Sequence, residues 1–192
     1  MTKPIRDFTS GELDWMPWVT PVAIDAANEE QRRALKITPS NRAVGAYSLV
    51  LAHDPPSLAE RSPLYNAIMF GAGGLPRADR ELAAVATSRV NGCSYCASVH
   101  AQRYMTLSKR PEVMRQLLLE GAAARLDERS QAIVAFAARL SENPAAVGAS
   151  DARELRRQGL GDAEILDLAH SVAMFAWANR LMQSLGEPTA KA

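Results

Sequence analysis

Glu81, Cys93, Cys96 and His100 stand in the pattern E-x(11)-C-x-x-C-x-x-x-H, which takes in both cysteines and one of the three histidines of the chain. A redox dithiol needs two sulfurs close together, a means of making one a thiolate, and a route for protons. These four residues can supply all three. A free thiol titrates near pKa ~8.5, so only a small fraction is anionic at neutral pH; a helix N-terminus and a neighbouring imidazolium both favour the anion, and the spacing offers both to Cys96. Glu81 can orient His100 or share its proton, as a third group orients the base in other activated-nucleophile sites.

The elements that must position these groups are helical. Residues 77–90 carry Leu82, Val85, Ala86 and Val90 on one stripe behind Pro76, and Asn91-Gly92 ends the run because both residues tolerate the left-handed conformation. A second helix is expected from residue 93 or 94 to about 108, before Pro111. At about 100° per residue, Cys93, Cys96 and His100 then share one face, and the i, i+3 cysteines lie at a spacing from which a disulfide closes with little backbone movement.

Along the rest of the chain the spacing predicts helices at 28–37, 42–52, 58–70, 112–120, 128–141, 152–158 and 162–185, punctuated by Pro39, Asp54-Pro55-Pro56, Gly121, Pro144 and Gly159. Alternating strand patterns are absent. The expectation is an all-α protein: an extended N-terminal arm (1–27) on a single compact helical domain (28–192). Gly71-Ala72-Gly73-Gly74 reads as a turn, since it lacks the Gly-Lys-Ser/Thr ending of a phosphate loop. Gly74–Asp79 and Gly159–Glu164 each introduce a long helix, which hints at a duplicated helix pair. Trp15 and Trp18 in the arm need a surface to cover, on a neighbouring subunit or in a groove of their own. The last helix, nearly apolar over 165–177, must be buried centrally or between subunits. Together these point to a homo-oligomer.

Composition narrows the function classes. The 192 residues and 47% hydrophobic content suit one ordinary core. A net charge of +1 gives no electrostatic reason to expect nucleic acid or an anionic membrane as partner. Without a long apolar run or a secretory leader, the expected location is cytoplasmic, where two cysteines are more naturally reactive or metal-binding than structural. Zinc is the rival use of the C-x-x-C. It needs four ligands, Cys93, Cys96, His100 and His170 are the only convincing supply, and the second half of a zinc motif is missing. His53, beside Asp54-Pro55, reads as a helix end, and His170 as a core or pocket residue.

Glu81, the run Asn91-Gly92-Cys93-Ser94-Tyr95-Cys96, and His100 resemble the alkylhydroperoxidase D-like branch of the carboxymuconolactone decarboxylase superfamily. Residues 162–186, with Ala178-Asn179-Arg180-Leu181, are similar to the C-terminal helix of its peroxidase-related members, so the likeness covers roughly 62–186. The resemblance implies an all-helical, oligomeric peroxide reductase without haem, flavin or other cofactor. Carried onto this chain, Cys96 attacks the hydroperoxide, Cys93 resolves the sulfenic acid to a disulfide, Glu81 and His100 form the proton relay, and a dithiol or lipoyl protein reopens the bridge. Tyr95 stands where the best-known members have a histidine, and a phenol titrating near ~10 is a poor base at neutral pH. Two other functions fit the scaffold: a zinc-stabilised or thiol-sensing interaction module, and a lactone decarboxylase independent of the cysteines.

Overall fold

In the computed structural model, residues 7–38 and 43–191 are described. The start of the expected arm (1–6) and residues 39–42, where the second helix was expected to begin, lie outside them. Nine α-helices make up the described fold: α1 (Glu29–Ala34), α2 (Ala46–Leu51), α3 (Pro55–Phe70), α4 (Arg77–Asn91), α5 (Ser94–Ser108), α6 (Pro111–Glu120), α7 (Glu128–Glu142), α8 (Ala149–Arg157) and α9 (Asp162–Leu185). No helix among the described residues is long and apolar enough to cross a membrane.

The centre of the domain is α4, which packs against α5, α7 and α9. Every residue from Arg80 to Ser88 is buried. Leu82, Val85 and Ala86 join Leu117, Ile133, Val134, Leu168 and Val172 in the main core. Each large aliphatic side chain buried there contributes roughly 1.5–3 kcal/mol. The last helix is therefore not the central one. It buries the stripe Leu168, Val172, Phe175, Asn179 and Met182 and leaves Leu166 and Trp177 exposed.

The turn before α4 is tied down by a buried arginine. Arg80 donates to the carbonyls of Ile68, Gly71 and Gly73 at 2.7–3.2 Å and to Asp167 Oδ2 on α9 at 3.0 Å. Gly73 and Gly74 both adopt positive φ (77° and 62°), which an L side chain rarely does. This clamp sets the start of α4 and with it the position of Glu81. At the other end, Gly92 adopts φ 79° and caps α4, so the chain turns directly into α5 with Cys93 as its N-cap residue.

The structure adds one feature to the all-helical expectation. Leu13–Pro17 (β1) pairs antiparallel with Gly186–Ala190 (β2), Trp15 opposite Pro188. Neither segment alternates in polarity and each contains a proline, so the local pattern gives no strand signal. What holds them is tertiary: the Trp15 indole is buried, donates to the Met182 carbonyl at 3.0 Å, and meets the Tyr47 ring edge-on at 5.6 Å. The arm thus covers its own domain through Trp15, while Trp18 stays 59% exposed.

Candidate active site

The α4–α5 corner brings all four sequence-predicted residues together. Glu81 projects from the middle of α4 and is 0% exposed. Its Oε2 contacts His100 Nδ1 from α5, and its Oε1 accepts from Arg77 Nε at 2.8 Å. Arg77 is held over the Phe70 ring, its guanidinium carbon 3.7 Å from the centroid. The His100 ring stands edge-on to Phe175 at 4.3 Å. On the preceding turn of α5 the Cys93 and Cys96 sulfurs are 2.8 Å apart, both buried and unbridged. They share a cluster with Trp15, Val50 and Met182, against which Tyr47 and Tyr95 pack.

Burial by itself would raise the Glu81 carboxyl, but His100, Arg77 and Arg103 outweigh it and hold the group below its ordinary range. Burial dominates at His100 and pushes the imidazole down despite the adjacent carboxylate. At neutral pH the pair is thus an ionised Glu81 beside a neutral imidazole. Nδ1–H then donates to the carboxylate and Nε2 keeps its lone pair, the tautomer that a base requires.

This corrects the expectation of an imidazolium promoting the Cys96 anion. The hydrogen bond from Cys96 holds the Cys93 thiol below its usual value, helped by the Cys96 backbone N–H and the Asn179 amide and opposed by burial. Sharing that bond and being buried push Cys96 well up. Of the two thiols, Cys93 therefore gives up its proton more readily than Cys96. The helix N-terminus expected to help Cys96 acts first on Cys93, the N-cap residue.

Asn179 has no role in the sequence reading, though it sits in the run quoted for the resemblance. It is fully buried in α9, donates to Ser88 Oγ at 3.0 Å, accepts from Asn91 Nδ2 at 3.1 Å, and favours the anionic form of both thiols. An amide directly after the apolar run of α9, on the line of its buried stripe, is the signal that could have found it. His170, by contrast, lies exposed on α9, well away from the core position expected of it. His53 Nε2 contacts the Thr20 carbonyl at 2.8 Å just beyond α2. Among the described residues no three His, Cys, Asp or Glu side chains are arranged to hold a metal ion.

Two cavities reach this corner. One of about 600 Å³ opens beside the Glu81–His100 pair and is walled by Phe70, Arg77, Tyr95, Val99, Arg103 and Leu107 among others. A smaller one of about 130 Å³ reaches Cys93 between Trp15, Trp18, Tyr95 and Met182. Tyr95 lines both, and burial raises its phenol further, so it remains protonated.

The Glu81–His100 pair makes stability depend on pH in a defined direction. Both groups titrate lower in the folded chain than their ordinary values of 4.5 and 6.5. In acid the unfolded chain therefore binds more protons, and stability is lost as pH falls, first below 6.5 through His100 and then below 4.5 through Glu81. The slope is at most about 1.4 kcal/mol per pH unit for each proton. Thermal melts across this range are expected to show the melting temperature falling with pH, with the upper part of the fall lost in His100→Gln. A flat profile in the parent contradicts the assignment.

The carboxymuconolactone decarboxylase family matches residues 55–139, which hold α3 to α6, most of α7 and all four site residues. An uncharacterized peroxidase-related protein from Ralstonia eutropha JMP134, described as an alkylhydroperoxidase AhpD core, is 27% identical with TM-score 0.76, covering 88% of this chain and 90% of that one. A peroxidase-related protein from Silicibacter sp. TM1040 is 25% identical with TM-score 0.74, covering 91% and 94%. The debrominase Bmp8, 20% identical with TM-score 0.70 over 87% and 89%, shares the fold. Among curated proteins none matches significantly. The helix order, the α4–α5 corner and these similarities agree: the chain carries a carboxymuconolactone decarboxylase family segment over residues 55–139 and has the fold of the alkylhydroperoxidase D-like, peroxidase-related proteins.

Proposed function

We propose that the protein is a thiol-dependent hydroperoxide reductase in which Cys96 attacks, Cys93 resolves, and Glu81 with His100 manages the protons. The observation that carries this is the buried Glu81–His100 contact one helical turn from two free sulfurs 2.8 Å apart. The 27% and 25% identity to peroxidase-related proteins supports it.

Cys93 is the more readily ionised of the two sulfurs, so the thiolate forms there first. Transfer across the short sulfur contact moves the charge to Cys96, which attacks the outer peroxide oxygen. An S–O bond forms, the O–O bond breaks, and the alkoxide leaves as an alcohol after taking a proton through His100. Cys93 then attacks the Cys96 sulfenic acid and water departs, so the dithiol has given up two electrons and become a disulfide. A dithiol or lipoyl protein returns those electrons. A cytoplasmic location suits a pair that must be kept reduced between turnovers. Leu64, Leu166 and Trp177, exposed on α3 and α9, support a homo-oligomer burying that face.

Thiol titration before and after one equivalent of an organic hydroperoxide tests the proposal. Two thiols per chain are expected to disappear, with mass mapping placing one bridge between Cys93 and Cys96. Both thiols surviving the hydroperoxide would overturn it. An activity on lactone acids that outlasts replacement of both cysteines would point to the decarboxylase instead.

A further inference from the structure

A charged residue outside the four-residue pattern stacks on the tyrosine that packs against the thiol cluster, with two of its buried donors unmatched. Arg61, on α3, is 9% exposed. Its Nε and Nη1 have no hydrogen-bond partner, and no carboxylate among the described residues pairs with it. Aromatic faces hold it instead: the guanidinium carbon is 4.9 Å from the Tyr65 centroid, 5.6 Å from that of Tyr47 and 6.0 Å from that of Trp177. The Tyr47 hydroxyl is likewise buried without a partner, and the Tyr47 ring packs on the cluster holding Cys93 and Cys96.

Buried donors are almost always satisfied, and a buried cation without a counter-charge is costly. Three such donors beside one thiol pair call for a reason. The groups whose charge acts on Arg61 are Tyr47, Tyr65 and Cys96. Burial raises both phenols, so they stay neutral, and Cys96 is the group of the three that the proposed chemistry makes negative.

We infer that Arg61, with the Tyr47 hydroxyl, is the built-in counter-charge of the reacting thiol: a positioning pair whose open donors receive the negative charge that Cys96 carries once its proton has left. This deepens the hydroperoxide-reductase reading and rests on Cys96 being the attacking sulfur. It also answers a difficulty in that reading, since burial and the neighbouring Cys93 push the Cys96 thiol well up, and a compensating cation would ease its ionisation. Tyr47 from α2, Tyr95 from α5 and the neutral Trp15 from β1 pack in the thiol cluster, the neutral Asn179 from α9 bonds to the thiols, and Arg61 from α3 stacks on Tyr47, with Asp14 and Arg103 acting on Tyr95. Arg103 donates to the Tyr65 hydroxyl at 3.2 Å, and of the two Arg61 is the cation with buried donors still open.

The test needs no peroxide. In the Cys93→Ser chain one thiol remains, and its ultraviolet thiolate absorbance is followed against pH, with the C93S/C96S chain subtracted to remove tyrosine ionisation. Adding Arg61→Met is expected to raise the Cys96 midpoint by about one pH unit, roughly tenfold less thiolate at a pH below both midpoints. Arg61→Lys is expected to lie closer to the parent than R61M, and Tyr47→Phe to give a smaller upward shift. An R61M midpoint coincident with the parent's, in a chain that still melts cooperatively, overturns the inference. If R61M does not fold, Y47F decides by the same criterion. Because the readout is a thiol titration, an absence of peroxide turnover in the parent counts against the proposed function and leaves this result standing.

Discussion

Cys96→Ser is expected to stop hydroperoxide consumption, while Cys93→Ser is expected to complete one turnover and stall. A serine hydroxyl is not ionised at neutral pH and cannot accept the peroxide oxygen. The fall in rate is on the order of a thousandfold or more, the scale on which loss of an activated nucleophile reads in other enzymes. In the C93S chain Cys96 still has Arg61 and Tyr47 facing it and His100 one turn away. It should consume about one equivalent and end as a sulfenic acid that dimedone traps at Cys96. The asymmetry between the variants is the informative measurement, because Cys93 is held lower and Cys96 pushed up. If C96S accumulates a sulfenic acid at Cys93 while C93S is inert, the roles are exchanged. The lower-titrating sulfur would then be the nucleophile, and the cavity that reaches Cys93 its access route.

That ambiguity marks where the sequence stops being legible. Helix periodicity and punctuation place α4 within one residue and α9 at both ends, because Pro76, Gly92 and Gly161 act locally. The meeting of Glu81 with His100 is also foreshadowed, since α4 and α5 are joined by a single tight turn. What depends on distant chain is not. The β1–β2 pairing brings Trp15 over the thiols from a segment some 170 residues away from its partner, with no alternation to announce it. Arg61 reads locally as an ordinary charge on a helix, and only the packing of α2, α3 and α9 turns it inward among three aromatic rings. His170 was expected inside because α9 is apolar over most of its length. The buried stripe passes through Leu168, Val172 and Phe175, and residue 170 falls about 200° from Leu168, on the far side. Protonation states were the least legible, because burial decides them and burial belongs to the assembled fold.

Glu81→Gln isolates the relay, since it preserves shape and removes only the charge. Two groups lean on that carboxylate: Arg77 through its Nε and His100 through Nδ1. The fully buried position gives water little chance to substitute, and breaking a buried pair by removing one partner costs about 3–5 kcal/mol. E81Q is therefore expected to melt well below the parent. Its rate is expected to fall by roughly 10²- to 10⁴-fold, the usual worth of general acid–base assistance, because an amide can present its NH₂ as readily as its carbonyl and no longer fixes the proton on Nδ1. The pH profile separates this from simple loss of structure. The Glu81 charge raises the His100 pKa against the larger effect of burial, so without it the imidazole becomes still harder to protonate. The acid limb of the residual activity should move to lower pH even as the maximum falls. A chain that is merely loosened would admit water to His100 and move that limb upward, toward the ordinary value of 6.5. A downward shift with a lower ceiling is thus the signature of a carboxylate acting through its histidine, and an unchanged rate in a folded E81Q chain removes Glu81 from the mechanism.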